Sequence, residues 1–254
     1  MRAGRPRGRS PPGPSAPQDG ALKVAALYDI HGNLPALDAV LAGLDADVIV
    51  VGGDFAAGPW PAETLDRLRG LHGDVRFIRG NADRELAEPP KPQVEGGPPQ
   101  EVLQWVRDRL SEEHLAFLSG LPLTETIEVD KLGRVLFCHA TPRDDNEILT
   151  RMSPDQRWLA ALDDADADVV VCGHTHVQFD RRVDVVRIVN AGSIGMPYET
   201  EPGAYWALLG PDVELHRTEY EPADIDAVGW PEEWPQATPD EATEFFERIS
   251  RERA

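Results

Sequence analysis

Cysteine is scarce: Cys138 and Cys172 are the only two in 254 residues. Each closes an apolar run, Val135-Leu-Phe-Cys138 and Val169-Val-Val-Cys172. They therefore read as buried free thiols rather than a disulfide, which fits a reducing, cytoplasmic setting. Long hydrophobic runs are missing too, since no apolar stretch reaches the roughly 20 residues that a membrane helix needs. Residues 1–20 are basic and rich in Pro, Gly and Ser, but lack the apolar centre of a signal peptide. They are expected to form a disordered basic tail, or to reflect a misplaced start codon. Positive charge is the third deficit: 25 Lys and Arg against 45 Asp and Glu leave a formal net charge of -20. Nucleic-acid backbones would be repelled, so stable binding to them is not expected. A small phosphate ester in a metal-lined cleft stays open, because bound cations would dominate the local field.

What is present is ordinary for a globular chain, with 41% hydrophobic and 28% charged residues. Residues 21–220 carry the pattern of one α/β domain. Leu22 to Leu27 reads as a buried strand, followed by a helix with Asn33 as N-cap and Pro35 in its first turn. Asp47 to Val51 and Asp74 to Ile78 are further strands, separated by a helix from Pro61 to Leu71, which makes βαβαβ. A proline-rich loop (88–100) precedes helical spacing over Glu101 to Leu118. Strands are then expected at Thr124 to Val129, Arg134 to Cys138, Asp168 to Cys172, Arg182 to Val189, Ala204 to Leu209 and Val213 to Tyr220. A helix from Ser153 to Leu162 would have Ser153 as N-cap. Residues 221–254 form an acidic extension. There Thr238 and Glu241 make a capping box for a terminal helix, with Phe245, Phe246 and Ile249 expected to dock it on the body.

Polar residues stand at the C-terminal ends of five of these strands: Asp29 and His31, Asp54, Asn81, His139, and His174 with His176. Open α/β sheets place their ligand sites at that end. If the segments are extended, Asp29-x-His31 and His174-x-His176 each direct two side chains to one side. Gly32, Gly53, Gly80 and Gly173 stand beside them and allow close backbone approach. Seven oxygen and nitrogen donors are too many for one tetrahedral ion. They suit two ions about 3.5–4 Å apart that share a carboxylate and clamp the oxygens of a phosphoryl group.

The ordered blocks DIHGN, GGD, GNAD, a strand-ending His and GHTH, spanning residues 29 to 176, resemble the calcineurin-like metallophosphoesterase superfamily. NAGSIGMP (190–197) is similar to that family's closing block, and the stretch from His139 to Arg143 resembles a bacterial branch. The resemblance implies a four-layer αββα sandwich of two mixed sheets flanked by helices. It implies Asp29, His31 and His176 on a first metal, Asn81, His139 and His174 on a second, and Asp54 bridging. Two divalent transition metal ions are expected, from Mn, Fe, Co, Ni or Zn. A metal-bridging hydroxide would attack phosphorus, with Asp54, Asn81, His139 and Arg143 as the catalytic group. Many members read GNH where this chain has Ala82, and that His is the leaving-group acid. Its absence favours phosphodiesters, cyclic nucleotides or nucleoside polyphosphates over monoesters as small phosphoester substrates. A monoesterase or protein phosphatase is the alternative, and a metal-free scaffold like the retromer subunit of this fold is the rival of another class. Three positions keep two readings each: Arg143 touches phosphate or forms a structural ion pair, Asp83 orients a ligand or caps the following turn, and Asn190 with Gly192 to Gly195 lines the cleft or makes a tight turn.

Overall fold

The computed structural model describes residues 21–88, 99–231 and 235–253. The basic tail, most of the proline-rich loop and Trp234 lie outside the described residues. Two five-stranded mixed sheets are present. In the first, the order is β10 (Val213–Thr218), β9 (Ala204–Leu209), β1 (Val24–Leu27), β2 (Val48–Val51), β3 (Asp74–Phe77). The last three run parallel, with Val24 beside Val48 and Val48 beside Asp74. In the second, the order is β4 (Thr124–Val129), β5 (Gly133–Cys138), β6 (Val169–Cys172), β8 (Val186–Asn190), β7 (Phe179–Val183). Here β5, β6 and β8 are parallel.

Side-chain alternation along each strand builds three apolar layers. Ala25 and Leu27 of β1 face helices α1 (Leu34–Gly43), α2 (Pro61–Arg69), α3 (Asn81–Ala87), α4 (Gln100–Arg107) and α5 (Glu112–Ser119), meeting Leu37, Leu65, Leu86, Val106 and Leu118. Val24 and Ala26 point the other way, into a layer shared with Val135, Phe137, Val169 and Val171 of the second sheet. The outer face of that sheet, through Leu136, Val170 and Ile188, packs on Trp158 of α6 (Asp155–Ala161). Each fully buried Val, Leu or Phe contributes about 1.5–3 kcal/mol, so the alternation fixes which face is which. This is the αββα sandwich that the sequence implies.

Four local expectations change. The helical spacing over 101–118 is two helices, because the chain breaks after Arg107 and Ser111 caps α5 by accepting from the His114 N–H at 3.1 Å. The strand expected over 182–189 is the hairpin β7–β8, turned at Asp184, whose φ is +55. Ser153 does not cap α6. Its hydroxyl accepts from Thr150 N–H at 2.9 Å and donates to Glu247. GNAD itself begins a helix, α3. The terminal helix α7 (Pro239–Arg253) forms as expected, and Phe246 and Ile249 pack against Ile148 while Phe245 stays 41% exposed. Both cysteines are free and buried.

Candidate metal centre

Because β1, β2 and β3 are parallel neighbours, the residues that follow them share one edge of the first sheet. The residues after β5 and β6 share the facing edge of the second. The structure thereby brings Asp29, His31, Asp54, His139 and His176 into two overlapping groups: Asp29 with His31 and His176, and Asp29 with Asp54 and His139. Asp29 Oδ1 stands 3.2 Å from His176 Nε2 and 3.8 Å from both His31 and His139 Nε2. Asp54 Oδ2 is 3.4 Å from His139 Nε2. Among the described residues the carboxylate common to both groups is Asp29, whereas the sequence resemblance gives the bridging role to Asp54. His174 reaches the cluster through its ring, 5.1 Å from that of His139, and its N–H donates to Asp29 Oδ2 at 2.9 Å. Asn81 opens α3 with a buried side chain.

The convergence does not come from extended backbone. Asp29, His31, Asp54, His174 and His176 all have positive φ, between +47 and +65. Each left-handed non-glycine residue costs roughly 1–2 kcal/mol, and such strain collects at functional sites. Glycine would remove the strain but carries no donor atom. Neighbouring glycines serve close approach instead: a Cβ on Gly80 would lie 2.0 Å from Asp54 Oδ1, and one on Gly173 would lie 2.3 Å from Asp29 Oδ2.

Backbone carbonyls orient three of the four imidazoles. His31 Nδ1 lies 3.2 Å from Ala57 O, His139 Nδ1 2.9 Å from Gly52 O, and His176 Nδ1 2.7 Å from Met196 O. A carbonyl only accepts, so each Nδ1 carries the proton and a neutral ring presents a bare Nε2 lone pair. The Nε2 atoms of His31 and His176 face each other at 3.1 Å, so they share one proton or one cation. Asp29 Oδ1, Asn81 Oδ1, His139 Nε2 and His174 Nε2 are buried without a hydrogen-bond partner. Such a cluster is relieved by a proton on an imidazole or by a metal ion, and its mixed O/N donors fit a divalent transition metal.

Charge is divided sharply across the cleft. Burial alone would raise Asp29 and Asp54, yet the imidazoles opposite pull Asp29 well below the usual carboxylate range and Asp54 down to about 2. Burial alone would lower His139, but Asp54 and Asp29 raise it to about 10. His174, desolvated and next to His139, falls to about 3. Behind the donors, Asp83 is fully buried and accepts from the N–H groups of Asp54 (2.7 Å), Gly80 (3.0 Å) and Phe55 (3.3 Å). Both readings of Asp83 hold, since it caps α3 and fixes the Asp54 backbone. Burial, then the charge of Asp54, push its carboxyl up to about 7.

The closing block is a clamp. Asn190 Nδ2 donates to Gly173 O at 2.6 Å, while Ser193 Oγ and Gly195 N–H donate to Asp29 O at 2.7 and 3.0 Å. One turn thus ties the loops of both sheets together. Asn33 caps α1, as expected, by accepting from Ala36 N–H at 3.2 Å. Arg143 follows its ion-pair reading: it grips Glu147 through two nitrogens at 2.8 and 2.6 Å and donates to Ala160 O. None of its described partners belongs to the donor cluster. Tyr198, and the contact of Phe246 with His174, have no sequence signal. Tyr198 stacks on His176 with centroids 5.2 Å apart, and the Phe246 ring lies 6.3 Å from that of His174. These contacts join residues 22 and 72 positions apart, which no local spacing signals.

A calcineurin-like phosphoesterase superfamily domain matches residues 22–210. The chain is 26% identical to an uncharacterized protein of Methanocaldococcus jannaschii, over 78% of this chain and 88% of that one. Among solved structures it resembles a metallophosphoesterase from Sphaerobacter thermophilus at 26% identity and TM-score 0.67, covering 91% of this chain and 98% of that one. It also shares its fold with a hypothetical protein from Pyrococcus horikoshii, at 23% identity and TM-score 0.69 over 91% and 96% of the two chains. No helix among the described residues is long and apolar enough to cross a membrane. The chain belongs to the calcineurin-like phosphoesterase superfamily and is a metal-dependent hydrolase of phosphoric esters.

Proposed function

We propose that this hydrolase uses two divalent ions and cleaves phosphodiesters or phosphoanhydrides of small, nucleotide-type substrates in preference to monoesters. The observation that carries the reading is the cluster around Asp29: four buried polar atoms without a hydrogen bond and two imidazole nitrogens facing each other at 3.1 Å. A scaffold has no physical need for such an arrangement. Asp29, His31 and His176 would hold one ion, Asn81, His139 and His174 the other, with Asp54 or Asp29 between them. When bound, the ions supply Lewis-acid charge for the phosphoryl oxygens and lower the pKa of water.

The chain's own residues do the positioning. The carbonyls of Ala57, Gly52 and Met196 keep three Nε2 lone pairs aimed at the cleft. Ala82 N–H donates to Asp54 Oδ1 at 2.8 Å and Asp83 holds the Asp54 backbone, so the Asp54 carboxylate has a fixed direction. The Ala82 side chain is 2% exposed and packs in the helix-side core. It offers no proton to a leaving group, which supports substrates whose leaving group departs without an acid. Purified chain reconstituted with Mn²⁺ should retain metal by mass spectrometry and hydrolyse a chromogenic phosphodiester faster than the matching monoester. A chain that retains no metal, or that is as fast on the monoester, would overturn this reading.

A further inference from the structure

A second cavity is built on elements that also carry donors of the cluster. In a chain with a net charge of -20, four guanidinium groups line one cavity of about 660 Å³: Arg84, Arg143, Arg157 and Arg253. The acidic residues of its lining are Asp144 and Glu147, and Asp145 behind the wall pairs with Arg84. Two of the arginines are already held in position. Arg143 is fixed by Glu147 and Ala160 O, and Arg84 Nε donates to both oxygens of Asp145 at 3.1 and 3.0 Å. Arg157 donates to Ile148 O at 3.1 Å. A guanidinium has five N–H groups, so Arg143 and Arg157 keep donors for an anion.

Two elements that line this cavity also carry donors of the cluster, and a third, α7, backs His174. In α3, Asn81 begins the helix and Arg84 follows on the same face one turn later. The loop after β5 runs from His139 to Arg143. In α7, Phe246 lies against His174, and Ser250 and Arg253 of the cavity follow one and two turns on. The cavity and the cluster are thus linked through α3 and the loop after β5.

We propose that this arginine cavity is a subsite for a second phosphate of the substrate, separated by a few bonds from the one that is hydrolysed. The substrate class is then an organic di- or polyphosphate, such as a nucleoside polyphosphate, rather than a simple diester. The inference deepens the phosphoesterase reading and rests on it for the link to the scissile phosphate; the affinity of the cavity for polyanions stands apart.

Titration calorimetry with sodium tripolyphosphate on the chelator-treated full chain separates the two. Without ions the Asp29–Asp54 side of the cluster repels the probe, which leaves the arginine cavity to bind it. Binding is expected in the wild type and weakens with added salt. It should fall about tenfold in Arg157→Gln and in Arg253→Gln, and be largely kept in Arg157→Lys, which preserves charge. In the Mn²⁺-loaded chain, the ratio of kcat/KM for a nucleoside triphosphate to that for a chromogenic diester should drop about tenfold in Arg253→Gln. Equal tripolyphosphate binding by wild type and both Gln variants, or none at all, in a chain that still hydrolyses the diester would overturn the subsite and leave the phosphoesterase reading intact. Tripolyphosphate binding by a chain without diesterase activity would strike the phosphoesterase reading instead.

Discussion

The two sheets bring different chemistry to the cleft they share. Behind β1, β2 and β3 stand Asp29, His31, Asp54 and Asn81, which include both carboxylates of the cluster; behind β5 and β6 stand only imidazoles, His139, His174 and His176. Carboxylate charge therefore comes from one side alone, and the facing side supplies only imidazole nitrogen. His139, which faces both carboxylates, is raised to about 10, while His174, beside it, is lowered to about 3. A cluster built this way is balanced only with a cation at its centre, a proton on His139 or a metal. The sharpest break is on the carboxylate side. Asp29→Asn and Asp54→Asn are expected to reduce diester hydrolysis more than about a hundredfold, with loss of bound metal on mass spectrometry. His174→Ala removes one neutral donor and should cost less, about tenfold to a hundredfold. Equal losses on both sides would show that the division of charge is unimportant.

The same division makes opposite pH behaviour in the metal-free and metal-loaded chains. His139 is raised from 6.5 to about 10, so its ion pair with Asp54 adds stability at low pH that is lost as pH climbs from 6.5 toward 10. Asp54, lowered from 3.8 to about 2, adds stability above 3.8 that is lost as pH falls toward 2. The chelated chain should therefore melt at a lower temperature at pH 9 than at pH 6. Metal must displace the proton from His139, so loading tightens as pH rises and activity collapses below about pH 6. Melting curves with chelator and with Mn²⁺, taken across this range, should cross. Parallel curves would mean that the His139 proton and the metal do not compete for one place.

The strand ends were legible because each buried strand is a short apolar run that stops at a polar block, and parallel neighbours put those stops on one edge. The geometry at the stops was not legible. Extended alternation explains convergence of Asp29 with His31 on paper, but the chain uses left-handed turns, whose φ values depend on contacts from the other sheet, such as Ser193 and Gly195 on Asp29 O. Arg143 illustrates the converse. Its place after His139 suggested phosphate, and only the fold reveals Glu147 four residues on and Ala160 O beside it. The break between α4 and α5 was missed because Val102, Trp105, Val106 and Leu110 keep helical spacing across it, with Ser111 as the one local sign.

Ala82 lies on the carboxylate side, where its N–H holds Asp54 and its methyl group fills the helix-side core. Ala82→His therefore does not simply restore the leaving-group acid of other family members. The larger ring must be accommodated in a packed layer, at a cost of about 1–3 kcal/mol. Thermal unfolding should shift down while monoester turnover stays near the wild-type level. A stable variant that gains monoesterase activity would show that the position faces the cleft after all.

The smallest expected effect lies on the imidazole side, where aromatic rings rather than charges back the donors. Phe246 is 9% exposed, packs with Ile148 and Ile249, and places its ring against His174. Phe246→Leu keeps most of the apolar volume, so stability should fall by less than about 1.5 kcal/mol. It removes the ring face that limits the swing of His174, whose Nδ1 has no described carbonyl like those holding His31, His139 and His176. Turnover should then drop a few-fold, with metal affinity reduced by a similar factor, less than the roughly tenfold or more that loss of a hydrogen-bonded partner of a ligand costs, because only the swing of the ring is freed. If α7 only buttresses the body, unfolding midpoint and turnover would change together across Phe246→Leu and Ile249→Val. If Phe246 orients His174, Phe246→Leu alone changes metal affinity at equal stability.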